Sequence, residues 1–315
     1  MNRKDIGLSL NFDWISSVFD ISELTNIDEI DKALCHETDE ILNYILNKGG
    51  KVSIFIIGSD LLRPVIKQYV KKWAKDGHEI GNHTWSHPVN FGNLPKEKIE
   101  KELSLTENII LETIGKNSTG FISPSWSSSK TTFNSLIDQG FKYDHSVMPS
   151  FQNIIFRFLM SINSKTRKES FLEILSFKLL YFNFLQPSKA YKICKGEKNI
   201  IQIPLPSLFR LFSYWYTPEL LIKGFKKRRK LFLQKPLSYV LFHPADFCSF
   251  DLIENQKIVY LDTEFLRDKT YWPLLCILQI KTARKTFIFE ILSNMNSQHQ
   301  FLDKDFFGLL YSHFS

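Results

Sequence analysis

Cysteine is scarce: Cys35, Cys194, Cys248 and Cys276 stand far apart in 315 residues and form no C-x-x-C pair. That spacing excludes a disulfide-dense secreted scaffold and a zinc knuckle, and it fits buried thiols in a reducing compartment. Long apolar runs are missing too. The nearest approach, 171–185, is broken by Glu173 and Lys178, short of the roughly 18–20 uncharged apolar residues a spanning helix needs. Met1-Asn2-Arg3-Lys4-Asp5 leads straight into a strand-like segment, with no apolar signal core. With 13 Gly, 12 Pro and no internal repeat, collagen-like and low-complexity readings are excluded. These absences predict a cytoplasmic protein, at most peripheral to a membrane.

What is present is an ordinary globular composition, 43% hydrophobic and 23% charged, with 28 Phe, 11 Tyr and 6 Trp. The length suits one large domain, or one domain and a fragment. Net charge is +7 and uneven: residues 151–230 hold 16 Lys and Arg against 4 Glu, with Lys226-Lys227-Arg228-Arg229-Lys230 the densest run. A solvated helix face accounts for such a run. Attraction to lipid phosphate, a nucleotide-sugar or nucleic acid is the sharper reading. The interleaved Phe156, Phe158, Leu159, Leu179, Tyr181, Phe182 and Phe184 suit a membrane-surface helix and a buried core helix equally.

Ile6–Phe12, Val52–Gly58, Gly120–Ile122, Ile200–Ile203 and Tyr239–Phe242 read as strands. Glu23–Asn47, Leu61–Asp76, Lys96–Ile114, Thr131–Gln139 and Pro218–Leu233 carry helical spacing. This alternation predicts a parallel α/β barrel or sheet, with chemistry on the loops at the C-terminal ends of strands. A boundary is expected near Phe250–Gln256, dividing the chain into 1–253 and 257–315.

Four pieces stand at predicted strand ends: Asn11-Phe12-Asp13-Trp14, His83-Thr84-Trp85-Ser86-His87, Phe121-Ile122-Ser123-Pro124-Ser125-Trp126 and Leu241-Phe242-His243-Pro244. One carboxylate and two imidazoles can hold a divalent metal and leave a position for water and substrate. Spacing of i and i+4 would put both imidazoles on one face if that segment were helical. Alone, H-x-x-x-H is a weak signal. Gly81-Asn82 before it and Pro88 after it make it more specific.

In order and spacing these residues resemble the NodB-type polysaccharide deacetylases, across about residues 5–250. The resemblance extends to Lys51–Gly58, to Gly77-His78-Glu79-Ile80-Gly81-Asn82-His83, to Gly140-Phe141-Lys142-Tyr143-Asp144 with Ser146, and to Ile203-Pro204. It implies an irregular (β/α) barrel that removes N- or O-acetyl groups from sugars by metal-assisted hydrolysis. It implies His83 and His87 as ligands of a divalent metal, zinc by preference, and His243 as the acid that protonates the leaving amine. Asp144 would orient or charge-tune a neighbouring catalytic group. Trp85, Pro124, Trp126 and Tyr143 would line the substrate, an acetylated sugar or a lipid-linked glycan. There are two departures. The family's first motif supplies two acids, a base and a metal ligand, where this chain has Asp13 alone. Either Trp14 replaces the second acid or Asn11 the first, unless Asp20 reaches the site. Asp13 is read as a ligand with a catalytic part. Where the family has an arginine beside the base, this chain has Ile122, which cannot make a bidentate guanidinium contact.

A second constellation begins at Ile258: Val259-Tyr260-Leu261-Asp262-Thr263-Glu264-Phe265, then Thr270-Tyr271-Trp272-Pro273 and Leu278-Gln279-Ile280. At a strand end Asp262 and Glu264 share a side, the first ligand pair for two-metal phosphodiester hydrolysis. The string resembles the opening of ribonuclease D and related DEDD-type 3′–5′ exonucleases, implying a ribonuclease-H-like fragment. That family needs two further carboxylate motifs, and none follows before Ser315. Magnesium and RNA cleavage are therefore expected only of a complete site. His36, His299 and His313 read as surface residues, His78 as a packing or turn-capping residue, His145 as a pocket candidate and Cys276 as core.

Overall fold

The structure, a computed structural model, describes residues 5–13, 27–151, 183–208, 212–213, 239–244 and 300–301. Its main sheet runs in the order β10-β1-β2-β3-β4-β5-β7-β6. The strands are β1 (Asp5–Phe12), β2 (Ser53–Ile56), β3 (Glu79–Asn82), β4 (Gly120–Phe121), β5 (Tyr143–Asp144), β6 (Tyr191–Lys195), β7 (Lys198–Gln202) and β10 (Tyr239–Phe242). Every neighbouring pair is parallel except β6 with β7, a hairpin closed at Gly196. A short β8 (Ser207–Leu208) pairs with β9 (Phe212–Ser213), and β11 (Gln300–Phe301) pairs with the start of β1. The helices between strands are α1 (Ile27–Asn47), α2 (Pro64–Lys75), α3 (Lys96–Ile114) and α4 (Lys130–Gln139).

Period-2 alternation sorts the strand residues into two layers. Leu8, Leu10 and Phe12 of β1, Ile54 and Ile56 of β2, and Val240 and Phe242 of β10 pack outward under α1 and α2, on Leu34, Ile41, Ile66, Val70 and Trp73. Phe55, Tyr143, Tyr239 and Leu241 point to the other side and form an inner cluster with Ile122 and Ile203. Tyr239 on β10 stacks on His145, just past β5, with ring centroids 4.3 Å apart. Contact between strands so far apart in the order means the sheet curls around this inner cluster, the irregular barrel expected. A third cluster seats α3 and α4 on the outer side through Leu103, Phe121, Phe133, Leu136 and Ile200.

Local rules set the helix ends. Ser129 accepts the Thr132 amide, and the Thr132 hydroxyl returns to the Ser129 amide, a reciprocal cap that starts α4. Gly115 (φ 75°) and Gly140 (φ 86°) end α3 and α4 in the left-handed conformation, which glycine adopts without a Cβ penalty. The helix expected over Leu61–Asp76 is shorter. Gly58–Leu62 forms a 3-10 turn and α2 starts afresh with Pro64 in its first turn, because proline cannot donate in a helix interior. The expected helix Pro218–Leu233, the charged run at 226–230, most of the 151–230 segment and the 250–256 boundary lie outside the described residues. Among the described residues no helix is long and apolar enough to cross a membrane.

Candidate active site

Three strands deliver the site by the same rule. On β1 the inward positions are Ser9 and Asn11, and the next is Asp13. On β10 they are Tyr239 and Leu241, and the next is His243. On β3 Gly81 faces Phe55 so closely that a Cβ would lie 2.5 Å from the Phe55 ring, and the next inward residue is His83. Asp13, His83 and His243 therefore meet one step beyond the C-terminal ends of their strands.

His87 arrives differently. The 83–87 segment is not helical, so its four-residue spacing does not bring the imidazoles together as a helix face would. Thr84 (φ 65°) and His87 (φ 55°) instead take left-handed backbone conformations that fold the loop back. The His83 and His87 rings sit edge to face, centroids 5.0 Å apart. His83 Nε2 lies 3.3 Å and His87 Nε2 3.5 Å from the same oxygen, Asp13 Oδ2. His243 Nε2 is 4.0 Å from that oxygen and, with its side chain 26% exposed, is more open than Asp13 at 12% or His83 at 1%.

Burial alone would raise the Asp13 pKa. The imidazoles of His243, His83 and His87 outweigh it and hold the carboxyl well below the usual carboxylate range. The ligand-capable atoms of Asp13, His83 and His87 all lie within 4.8 Å of one another. His83 Nδ1 is 2.6 Å from the Ile122 carbonyl oxygen and donates to it, since a carbonyl oxygen only accepts, and this contact orients the ring with Nε2 toward Asp13. Ile122 thus serves through its backbone, while its side chain, where the resembled family has arginine, is buried in the inner cluster.

The other residues singled out from sequence are placed as follows. Asp144 is fully buried. Its Oδ1 accepts the Ser146 amide at 3.1 Å and the Ser146 hydroxyl, and burial, opposed by those donors, raises its pKa to about 7. Tyr143 is fully buried and its hydroxyl donates to Glu79 at 2.6 Å. Pro124 is buried, and Trp126 is buried with its carbonyl accepting from Asn183 at 2.9 Å. Ser125 (φ 51°) and Trp126 (φ 50°) are left-handed, so all the described non-glycine positive-φ residues fall in the loops after β3 and β4. Such strain costs about 1–3 kcal/mol per residue and gathers where a site must be shaped. Trp85 is half-buried against the outer core. His145 is buried, its pKa pushed down to about 3 by desolvation. His78 is also buried, and its Nδ1 accepts the Val52 amide at 3.1 Å, a packing role as expected. Trp14, Asp20, Asp262 and Glu264 lie outside the described residues.

Several site-shaping residues escape a sequence reading. Asn82 Oδ1 accepts the Thr84 amide while its Nδ2 donates to the Leu103 carbonyl and to Glu107. Glu102 accepts the Trp85 and Ser86 amides. Asn82 stands beside His83 in the distinctive tract, which is a signal. Nothing local marks Glu102.

The chain is thus a curled parallel α/β sheet with an Asp-His-His cluster at its C-terminal edge. Residues 23–143 match the family model "Polysaccharide deacetylase", a span that includes His83 and His87 and leaves out Asp13 and His243. A peptidoglycan deacetylase of Helicobacter pylori is 39% identical over 81 residues, 26% of this chain and 27% of that protein. Matched segments cover about a third or less of such curated relatives. Two solved structures share the fold. One is a candidate polysaccharide deacetylase from Pseudomonas aeruginosa PAO1 (TM-score 0.58, 10% identity, 98% of this chain and 90% of that one). The other is a candidate from Mycobacterium smegmatis (TM-score 0.54, 15% identity, 95% and 93%). Residues 23–143 are thus similar to polysaccharide deacetylases, and the fold is that of these two solved structures.

Proposed function

We propose that this protein is a metal-dependent hydrolase that removes acetyl groups from an acetylated sugar, free in a polymer or carried on a lipid. The observation that carries the reading is the convergence of His83 Nε2 and His87 Nε2 on one oxygen of Asp13, at 3.3 and 3.5 Å. One carboxylate oxygen and two imidazole nitrogens are a donor set suited to a divalent ion such as zinc. The Ile122 carbonyl fits the set further, because it accepts from His83 Nδ1 and orients the ring with Nε2 toward the cluster. A metal held by Asp13, His83 and His87 supplies positive charge toward the acetyl carbonyl and a more acidic water.

In the overall reaction water adds to the acetyl carbon, the carbon–nitrogen or carbon–oxygen bond breaks, and acetate and the sugar amine or alcohol are released. His243 is the proton donor to the departing atom: it is the most exposed member of the cluster and its Nε2 faces Asp13 Oδ2 at 4.0 Å. Asp13 holds that imidazole in place as well as serving as a ligand. Where the resembled family uses a second acid and an arginine, Asp13 and His243 carry the polar work.

The test measures zinc or cobalt stoichiometry on the full chain, wild type beside His83→Ala/His87→Ala, together with acetate release from acetylated chitooligosaccharides and peptidoglycan fragments. About one ion per chain, lost in the double variant, with acetate released only by the wild type, is expected. An ion without acetate from any acetylated sugar would make this a non-catalytic glycan-binding barrel. No ion in either protein would remove the hydrolase reading.

A further inference from the structure

The 83–87 loop holds two strained non-glycine residues, and its shape alone brings His87 to Asp13. Four consecutive amides of that loop are each captured by a side chain. Thr84 donates to Asn82 Oδ1 at 2.9 Å, Trp85 and Ser86 donate to Glu102 Oε2 at 2.9 and 2.8 Å, and His87 donates to Thr84 Oγ1 at 3.2 Å. The Ser86 hydroxyl donates to the other Glu102 oxygen at 2.8 Å. Asn82 and Thr84 belong to β3 and the loop itself, whereas Glu102 comes from α3. Hydrogen bonds to an ionised carboxylate are roughly twice as strong as neutral ones, and here three converge on one side chain.

Helix α3 is itself anchored to the site. Glu107 accepts from Asn82 at 2.9 Å and from the Ser118 amide at 3.0 Å. Helix α3 therefore holds the loop directly through Glu102 and indirectly through Glu107, which holds Asn82.

We infer that Glu102 is a positioning residue of the metal centre, setting the His83–His87 separation without touching substrate. The inference rests on the metal site proposed above. Loss of an outer partner that orients a ligand lowers metal affinity by about 10–100-fold.

The experiment titrates the full chain with cobalt(II), reading visible absorption, and measures urea stability of the apoprotein alongside. Four proteins are compared: wild type, Glu102→Ala, Glu102→Gln and Ile99→Val. Ile99 is fully buried on the same helix and makes no polar contact with the loop, so its variant loosens α3 by packing alone. Glu102→Ala is expected to weaken cobalt binding at least tenfold and to change the absorption band. Glu102→Gln, which keeps an oxygen for the two amides, is expected to recover most of that loss. Ile99→Val is expected to lower stability with cobalt affinity unchanged. Equal affinity in wild type and Glu102→Ala, or an equal loss in Ile99→Val, overturns the inference while leaving the metal site standing. No cobalt binding by the wild type overturns both.

Discussion

A methyl group on Gly58 is a small perturbation that reaches three elements of the site at once. Its backbone is not left-handed, so the argument is one of space. A Cβ there would lie 2.6 Å from Thr106 Oγ1, 2.8 Å from Trp85 Cε3 and 3.0 Å from Thr106 Cα. None of these can retreat freely. The Thr106 hydroxyl is held on the Glu102 carbonyl, and the Gly58 and Ser59 amides donate to the Thr84 and Trp85 carbonyls at 2.9 and 3.1 Å. Overpacking a fitted site costs about 1–3 kcal/mol, and pinned neighbours place Gly58→Ala toward the upper end. At roughly 2–4 °C per kcal/mol for a domain of this size class, the thermal midpoint should fall by about 5–10 °C. Differential scanning calorimetry on wild type, Gly58→Ala, Thr106→Ala and the double variant measures it. Removing Oγ1 relieves the nearest clash, so the double variant should be more stable than the sum of the singles by at least about 0.5 kcal/mol. A Gly58→Ala protein within about 0.5 kcal/mol of wild type would refute the idea that the loops after β2 and β3 are locked under α3.

Two further predictions concern pH. Burial, with Lys51 and Lys72 opposing protonation against the pull of Asp76 and Asp39, pushes the His78 pKa down from 6.5 to about 4. Because the folded pKa is depressed, this residue's stabilisation is present above pH 6.5 and is lost as pH falls through 4, at most about 3 kcal/mol. His78→Asn, whose Oδ1 can still accept the Val52 amide, should show a shallower fall in urea stability over that range; an unchanged slope would sink the assignment. Asp144 has the opposite sign. Its carboxyl is raised from 3.8 to about 7, so its stabilisation is present below pH 4 and is lost as pH rises through 7, at most about 4 kcal/mol. Asp144→Asn should gain on wild type between pH 5 and 8 by chemical denaturation, and identical curves would show that the carboxyl is ionised throughout.

Much of the frame was readable in residue order because hydrophobic period and caps are local. Lys96–Ile114 and Tyr239–Phe242 coincide with α3 and β10, and Asp13, His83 and His243 stand one step past strand ends. The strand Tyr191–Lys195 is not legible in the sequence, since it is a short edge strand with two lysines and only partly buried residues, Tyr191 and Ile193, on its inner side. The loop geometry was also hidden. Four-residue spacing suggested a helix face, but positive φ at Thr84 and His87 does the folding, and neither is a residue type that announces it. Glu102 was invisible for a different reason: it lies sixteen and seventeen positions from the amides it holds, on a helix whose charged residues otherwise read as solvent-facing.

The join between β1 and β10 also bears on how the molecule is made. Gly7 aligns with Tyr239 and Leu10 with Phe242, so the pairing unites segments from opposite ends of the barrel chain. Contacts of such separation form slowly, because a long loop must close before any pairing energy is gained. While a ribosome is still adding residues before 239, β1 has one open edge and Asp13 can meet His83 and His87 but not His243. The Asp13–His83–His87 cluster would thus assemble first during synthesis, and the approach of His243 to Asp13 would wait on β10 to dock.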